Sequence, residues 1–404
     1  MKFISFEKSQ ELLQALHVEP VGWENVCLTD AIDRILAEDI TALHPSPEFA
    51  TSAMDGYAIL TANQDDGRIV IMGDNPAGSE LVQVVTSGHC IKTFTGSKMP
   101  SGSDAIIPIE YVSVDGNAIV INKKVKAGEN VREIGESYNA GDILIKKGTK
   151  ISFAEVGVLA GLNRVMIKVF TKPKVAVLST GSEILDIGQE STTSTQIRSS
   201  NNYTIAAMME LGGSEVLQLG VVKDDMDSII NSFTNALQAA DILITTGGVS
   251  VGDYDFVKDI IPSLGATVVF KGVNIKPGQH ILLAQKGNKF IVALPGFAYS
   301  STVTAWLYAL PLVKKMQLQN SALCFVDGVL QEKFIKKSKK TEFTACNVHV
   351  KGGIYVVDFK DKKSGTSAIL TNLLYSSALM VTPPDGADLE VGEKVKLMLP
   401  DLVR

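Results

Sequence analysis

Between residues 171 and 316 the chain alternates two textures. Apolar, β-branched runs lie at Val175–Leu178, Val216–Val222, Ile242–Thr245, Thr267–Phe270 and Phe290–Ala293. Stretches with helical spacing separate them, near Ser200–Leu211, Met226–Leu237, Tyr254–Leu264 and Ser300–Met316. Strands apolar at consecutive positions are buried on both faces, so this part reads as a doubly wound α/β domain with a parallel sheet. Upstream, Phe6 to His17 forms an amphipathic helix with Leu12, Leu13 and Leu16 on one face. A second helix is expected near Asp30 to Glu38, from Ile32, Ile35 and Leu36. His44-Pro45-Ser46-Pro47 then forces extended backbone, because a residue preceding proline is driven out of the helical region.

From about residue 50 to 140 the apolar runs shorten and Gly, Asp and Asn separate them, as in Arg68–Met72, Leu81–Val85, Ala105–Ile109 and Ala118–Ile121. That is the pattern of a small, mostly β domain. Lys123 to Asp142 is polar and Gly-rich and leads the chain back toward its first helices. After Gln319 the β texture returns, with candidate strands at Ala322–Val326, Phe343–Val350, Ile354–Phe359, Leu379–Thr382 and Lys394–Met398. Four modules follow: a helical and extended leading domain (1–44 and 141–170), an inserted β domain (45–140), the α/β domain (171–318) and a C-terminal β domain (319–404).

Composition narrows the partners. In 404 residues, 38 Lys and Arg face 44 Asp and Glu, a formal net charge of −6. With no basic tract read in the chain, neither nucleic acid nor an anionic membrane is the expected partner, and any anionic ligand needs a local cluster of donors. Cys27, Cys90, Cys324 and Cys346 are far apart and form no C-x-x-C pair, which excludes a zinc ribbon and suits a reducing cytoplasm. The opening Met1 to Lys8 has no secretory h-region, and the apolar window Ile151–Phe170 carries Glu155, Arg164 and Lys168, so it is a poor membrane span. A cytoplasmic protein is expected.

In an open parallel sheet, ligands collect at the carboxyl ends of the strands, beside helix N-termini. Polar, Gly-rich loops occupy those ends: Ser179-Thr180-Gly181-Ser182-Glu183, Val222-Lys223-Asp224-Asp225, Thr245-Thr246-Gly247-Gly248-Val249-Ser250-Val251-Gly252-Asp253-Tyr254-Asp255, Lys276-Pro277-Gly278-Gln279 and Leu294-Pro295-Gly296. Glycines let backbone N–H groups approach a phosphate, and a helix beginning near Tyr254 aims its positive end at the same place. Glu183, Asp224 and Asp255 would repel such a ligand unless a divalent cation intervenes, which makes Mg²⁺ the natural inference. Each also has a structural reading: Asp255 as a helix N-cap, Asp224 as a turn former, Glu183 as an acid in a first helical turn.

Gly248-Val249-Ser250-Val251-Gly252 also matches the nucleophile elbow G-x-S-x-G, with His280 or His349 as the partner base. The Thr-Thr-Gly-Gly lead-in and the acidic Asp253–Asp255 suit a phosphate cradle better. His17, His44 and His89 read as structural or solvated.

Five segments together resemble a known family. Ser52-Ala53-Met54-Asp55-Gly56-Tyr57-Ala58, Thr95-Gly96 with Met99-Pro100, Asn130-Val131-Arg132, Ser179–Glu183 and Thr246–Gly252 recur in this order in the MoeA family of molybdopterin molybdenumtransferases, which is similar to the E domain of gephyrin. The resemblance covers essentially the whole chain. It implies a MoaB/Mog-like molybdopterin-binding α/β domain, a β-barrel-like C-terminal domain, and an elongated homodimer whose cleft is shared between subunits. It also implies insertion of molybdate into adenylylated molybdopterin with Mg²⁺-dependent release of AMP, and transient contact with the molybdopterin adenylyltransferase. The pterin dithiolene would supply the sulfur ligands of the metal.

Carried over by position, the resemblance makes Asp255, Glu183, Asp224 and Asp55 the catalytic acids, with Glu183, Asp224 and Asp255 also holding Mg²⁺. Thr95, Arg132, Thr180, Gly181, Ser182, Gly247, Gly248, Val249, Ser250, Pro277 and Gly278 would bind the pterin and adenylate. Lys276, Pro295 and Ser367 would line the molybdate pocket, with Lys271 as a candidate for lost charge. The chain departs from the family at that pocket. K-P-G-K-P is Lys276-Pro277-Gly278-Gln279-His280, L-P-G-N-P is Leu294-Pro295-Gly296-Phe297-Ala298, the usual arginine after a Phe is replaced in Phe343-Thr344-Ala345-Cys346, and G-E-D is Gly135-Glu136-Ser137. A divergent paralogue that binds pterin without efficient insertion, or that uses tungstate, is one alternative. A gephyrin-like scaffold is another, disfavoured by the clustered carboxylates. An adenylyltransferase is a third, disfavoured by residues 45–140 and 320–404.

Overall fold

Val175, Val177, Ile242 and Ile244 are buried on one face of a sheet, while Ala176, Leu178 and Leu243 are buried on the other. The consecutive apolar runs are thus two alternating sets, one for each layer of helices. The computed structural model describes residues 3–80, 82–223, 225–247, 256–363, 367–375 and 377–400. They form two compact units, one of Met1–Ala37 with Gly148–Arg404 and the other of Glu38–Lys147.

In the larger unit, strands β1 (Lys174–Thr180), β2 (Glu215–Val222), β3 (Ile242–Thr246), β4 (Thr267–Lys271), β5 (Leu282–Lys286) and β6 (Lys289–Leu294) lie in the order β2-β1-β3-β6-β5-β4. β2, β1, β3 and β6 are mutually parallel. β5 runs antiparallel to both β6 and β4, so the sheet is mixed and not wholly parallel as expected. The cause is a two-residue loop, Gly287-Asn288, which closes a hairpin across the paired Lys286 and Lys289. Two reversals restore the direction of β4.

Helix α1 (Phe6–Ala15) begins at an N-cap Ser5 that accepts from Lys8 N–H, and α2 (Phe153–Gly161) begins with a capping box of Ser152 and Glu155. Leu13 of α1, Ile205 and Met209 of α3 (Asn201–Leu211), and Val303, Leu307 and Leu312 cover one face of the sheet. The last three belong to a continuous helical run: α6 (Ala298–Thr304, after α4 and α5 in sequence), a π-turn Ala305–Ala309 and α7 (Leu310–Met316). Ile229 and Phe233 of α4 (Met226–Ala239) and Ile260 and Ile261 of α5 (Phe256–Ser263) cover the other face. The buried Tyr308 hydroxyl lies 2.7 Å from Ser9 Oγ, pinning α1 to the run.

The helix expected near Asp30–Glu38 is absent. Leu28–Asp30 makes one 3₁₀ turn, Asp33 has φ 62°, and Ile35 and Leu36 pair as extended residues with Lys150 and Val169. A non-glycine residue with positive φ cannot continue a right-handed helix, and pairing then buries the apolar side chains that had suggested one.

The C-terminal strands β7 (Val326–Leu330), β8 (Thr341–Lys351), β9 (Ile354–Asp358), β10 (Ser377–Thr382) and β11 (Lys394–Met398) close a five-stranded barrel through the β8–β10 pairing. Its interior holds Leu330, Cys346, Val357, Met380, Val395 and Leu397. Of the expected strand Ala322–Val326 only Val326 is in a strand; the strand begins there and runs on to Leu330. A short strand, Ile275–Lys276, pairs in parallel with Thr341 and Glu342 at the start of β8 and joins the α/β domain to the barrel.

The second unit carries a six-stranded sheet in the order Ala105–Pro108, Gly56–Ile59, His89–Thr93, Ile69–Asn75, Ala118–Ile121, Val112–Asp115. Tyr57, Ile59, Ile69, Cys90, Ile107 and Ile119 form its core. Residues 82–85 form no strand: Val82 is 90% exposed, and Val85 turns inward, where its N–H donates to Ser101 O. Gly56 is required by space, since a Cβ there would lie 2.2 Å from Ile107 O.

Because α4 seals one face of the sheet through Phe233, which is fully buried, Phe233→Ala should cost about 3–5 kcal/mol. Urea unfolding reads this as a lowered midpoint; a loss below about 1 kcal/mol would mean that this face is not close-packed.

Candidate functional site

Register alone places β1, β3 and β6 so that Ser179, Thr246 and Leu294 end side by side. The Ser179 hydroxyl donates to Asn202 Oδ1 (2.6 Å) and lies 2.7 Å from Thr246 Oγ1, while Asn202 Nδ2 donates to Gly220 O (2.8 Å). This buried network ties two strand ends to the first turn of α3. Above it opens a cavity of about 610 Å³. Thr180, Glu183, Gly247 and Pro295 line it, as do Arg198, Ser199, Asn201 and His280, which the sequence reading did not assign to a ligand.

Gly247 has φ 94°, and a Cβ on it would lie 2.7 Å from Thr180 O, so glycine keeps two strand ends in close approach. Thr180 Oγ1 and Ser199 Oγ are buried in this lining and have no hydrogen-bond partner among the described residues. Buried hydroxyls are ordinarily satisfied, so these two leave a demand that a polar ligand can meet. Ser200, the N-cap of α3, makes no side-chain capping bond, so side-chain capping leaves the first-turn amides of that helix available to an anion. Asn201 Nδ2 donates to Gly296 O (2.7 Å), closing the rim. Glu183 and Arg198 bring opposite charges to one cavity, and Arg198 Nη1 donates to Asp186 O (2.9 Å).

Gly181 and Ser182 belong to the turn before Glu183, where Ile184 N–H donates to Gly181 O (3.1 Å). Asp224, Gly248, Val249, Ser250 and Asp255 lie outside the described residues, and so does the whole G-x-S-x-G match. Next to Asp224, Asp225 caps α4: its carboxylate accepts from Ser228 N–H (2.8 Å), and hydrogen bonding by Ser228 holds its carboxyl below the usual range. Among the described residues no three His, Cys, Asp or Glu side chains come together as a metal centre. A hard cation such as Mg²⁺ takes oxygen ligands, and within the described part of this cavity Glu183 is the carboxylate that fits it.

A second cavity, of about 50 Å³, lies between the α/β domain and the barrel and is lined by Lys276, Pro277 and Ser367 together with Tyr299, Phe343 and Glu342. The Lys276–Pro277 peptide is cis, and Gly278 follows with φ 92°. Lys276 Nζ is 3.4 Å from the buried Glu342 Oε1, which also accepts from Ser338 Oγ (2.5 Å). Ser367 O accepts from Ser300 N–H (3.1 Å). The Tyr299 hydroxyl donates to Phe343 O (2.8 Å) and accepts from Ala345 N–H (2.9 Å), and its burial pushes the phenol pKa up. Lys362 also lines the cavity, but its ammonium is committed to Asn372 O (2.8 Å) and Ser377 Oγ (2.6 Å). Lys271 ends β4 and lines neither cavity.

In the smaller unit, Asp55 Oδ1 accepts from both the N–H (2.8 Å) and hydroxyl (2.7 Å) of Thr95. The Thr95 amide bond, then its hydroxyl bond, holds the Asp55 carboxyl below its ordinary value. Arg132 extends a short strand paired with Thr51 and Ser52, and its Nε donates to Glu136 Oε1 (3.0 Å).

Three family descriptions match the chain in succession: the MoeA N-terminal region (domain I and II) over residues 4–162, a probable molybdopterin binding domain over 176–315, and the MoeA C-terminal region (domain IV) over 327–399. A molybdopterin molybdenumtransferase of Nostoc is 31% identical over 386 residues, covering 93% of this chain and 88% of that protein. One from Staphylococcus epidermidis is 30% identical, covering 98% and 95%. Gephyrin of Dictyostelium discoideum is 28% identical, covering 93% of this chain and 59% of its own length. The crystal structure of a molybdopterin biosynthesis MoeA protein from Pyrococcus horikoshii superimposes with a TM-score of 0.84 at 27% identity, covering 98% of this chain and all of that one. The chain belongs to the MoeA family of molybdopterin molybdenumtransferases.

Proposed function

We propose that this transferase of molybdenum cofactor biosynthesis inserts molybdate into adenylylated molybdopterin and releases AMP with the help of Mg²⁺. The observation that carries the reading is the 610 Å³ cavity, whose lining brings together Thr180 and Ser199 with their unsatisfied hydroxyls, the N-terminal residues of α3, which lack a side-chain cap, and the carboxylate-bearing Glu183. The amides of α3 and the hydroxyls of Thr180 and Ser199 suit phosphate oxygens. Arg198 suits the same charge, and Glu183 suits a cation that would bridge it, with Asp224 and Asp255 as the further ligands. Bound Mg²⁺ would supply charge neutralisation at the phosphate being cleaved. Lys276 and Ser367, at the smaller cavity, suit a tetrahedral oxyanion as charge and hydroxyl donors.

The protein acts as a homodimer in this reading. Support comes from α2, where Leu159 is the one fully buried residue and Phe153 is 86% exposed, beside exposed Val165 and Met166. An apolar helix face of this kind is covered when a second copy packs on it. No helix among the described residues is long and apolar enough to cross a membrane.

Incubation with adenylylated molybdopterin, molybdate and Mg²⁺ should release AMP in proportion to cofactor formed, and chelation of Mg²⁺ should stop it. Asp255→Ala and Glu183→Ala should each lower turnover about 100-fold or more with unchanged melting temperature. Molybdate-independent hydrolysis, or none under conditions where the Staphylococcus relative reacts, would sink the transferase reading and favour a pterin-binding paralogue. Light scattering should give twice the chain mass, and Phe153→Asp should shift it toward the monomer.

A further inference from the structure

The larger cavity has two textures. Thr180, Ser199, Arg198 and Asn201 give it a polar lining, while Phe297, Ile197 and Ile184 give it an apolar one. Phe297 is 64% exposed and Ile197 58% exposed, although both lie on a cavity wall. A lone exposed apolar residue is ordinary on a convex surface, but a ring exposed within a cavity is open to a ligand. The backbone that carries the ring is fixed on both sides. Just before it, Gly296 O accepts from Asn201 Nδ2 (2.7 Å), which ties the loop to the first residue of α3. A Cβ on Gly296 would lie 3.9 Å from Gly247 Cα, so the loop also rests against the turn that follows β3. Just after it, Phe297 O accepts from Ser301 N–H (2.9 Å) in the first turn of α6. Phe297 is the N-cap of α6 and its side chain makes no capping bond. Among the described residues, no aromatic ring packs against it. The asparagine of the family's L-P-G-N-P is a strong N-cap type, and phenylalanine is not. Capping and burial both disfavour phenylalanine here, so folding stability gives no account of the ring.

We propose that Phe297 is a specificity residue of this chain: its ring stacks on the planar nitrogen heterocycle of a phosphorylated ligand. The phosphate of that ligand meets the first-turn amides of α3 and the unsatisfied hydroxyls of Thr180 and Ser199. The ring stands one residue from the contact with α3, so heterocycle and phosphate are gripped from adjoining parts of one wall. An aryl face suits a flat heterocycle through offset stacking, and Ile184 and Ile197 add apolar surface to the same lining. Phe297 selects the ligand by its ring and takes no part in the chemical step. The proposal rests on the transferase reading for which ring is held, adenine or pterin, and on the cavity alone for the stacking contact.

AMP, 6-hydroxymethylpterin and ribose 5-phosphate, which keeps the phosphate and has no aromatic ring, are titrated separately into the full-length protein by calorimetry. Phe297→Ala should weaken binding of a ring-bearing ligand about tenfold, the scale of one base stacked on one aromatic side chain, and leave ribose 5-phosphate within about twofold. Phe297→Tyr should bind as the parent does, while Phe297→Leu and Phe297→Asn, which lack an aryl face, should behave as the alanine variant. A loss confined to AMP assigns the adenine to Phe297, a loss confined to the pterin assigns the pterin ring, and a loss for both makes it a shared platform; each supports the proposal. Melting curves should be unchanged, and if the alanine variant melts early, the tyrosine and leucine variants carry the test. Full affinity in Phe297→Leu overturns stacking. So does equal affinity for both rings in Phe297→Ala and the parent, or the lack of saturable binding of either ring by the parent. A fall in light-scattering mass for Phe297→Ala with ring affinity unchanged gives the ring to a subunit contact instead. AMP release from adenylylated molybdopterin is followed in parallel. Ring binding that depends on Phe297, without any AMP release, leaves the platform standing and removes the transferase reading.

Discussion

A sheet covered by helices on both faces has no room for polar side chains along its strands, and that constraint organises the α/β domain. Val175 to Leu178 and Ile242 to Ile244 spend every side chain on the two cores. Polarity begins where the strands run out, at Ser179, Thr180, Thr245 and Thr246, and the loops after them inherit all the chemistry. The Ser179–Asn202–Thr246 network is the boundary between the two regimes. It is buried enough to be rigid, and it fixes the first turn of α3 relative to the strand ends. The cavity above it is therefore shaped by backbone register more than by any single side chain.

The barrel contributes by a different route. Closure through β8 and β10 leaves no free strand edge within the ring, so the barrel meets the α/β domain through the outer side of β8 and the short strand Ile275–Lys276. That pairing sets Lys276 opposite Glu342 and brings the start of β8, with the lysine run before it, to the loop Pro277–His280.

Much of this was legible in the sequence because burial leaves periodic traces. The double-faced strands, the helices between them and the glycine loops after them are local patterns, and the Ser-Ala-Met-Asp-Gly-Tyr-Ala and Thr-Thr-Gly-Gly segments carry the family. What escaped was set by non-local pairing or by single backbone torsions. Asp33 at positive φ turned an apparent helix into paired extended chain. The Gly287-Asn288 loop hid a strand, because Leu282–Lys286 sits too close to its neighbour to look like a separate element. Arg198 and Ser199 reach the cavity only because Ile197 and Arg198 pair with Ile184 and Leu185, which spacing does not reveal.

The loop Lys276–His280 touches both cavities: Lys276 and Pro277 line the small one and His280 the large one. Gly278 at φ 92° and the Ile281 N–H bond to Gly278 O (3.3 Å) fold it into a tight turn, so only a few residues of backbone separate the two spaces. Residues sharing so short a backbone do not vary independently, and their energetic effects do not add. A substitution at Gln279 is felt at His280 in the larger cavity, and the reverse holds equally. The two departures of this chain at neighbouring positions are then a single coupled change, to be understood and engineered as a pair.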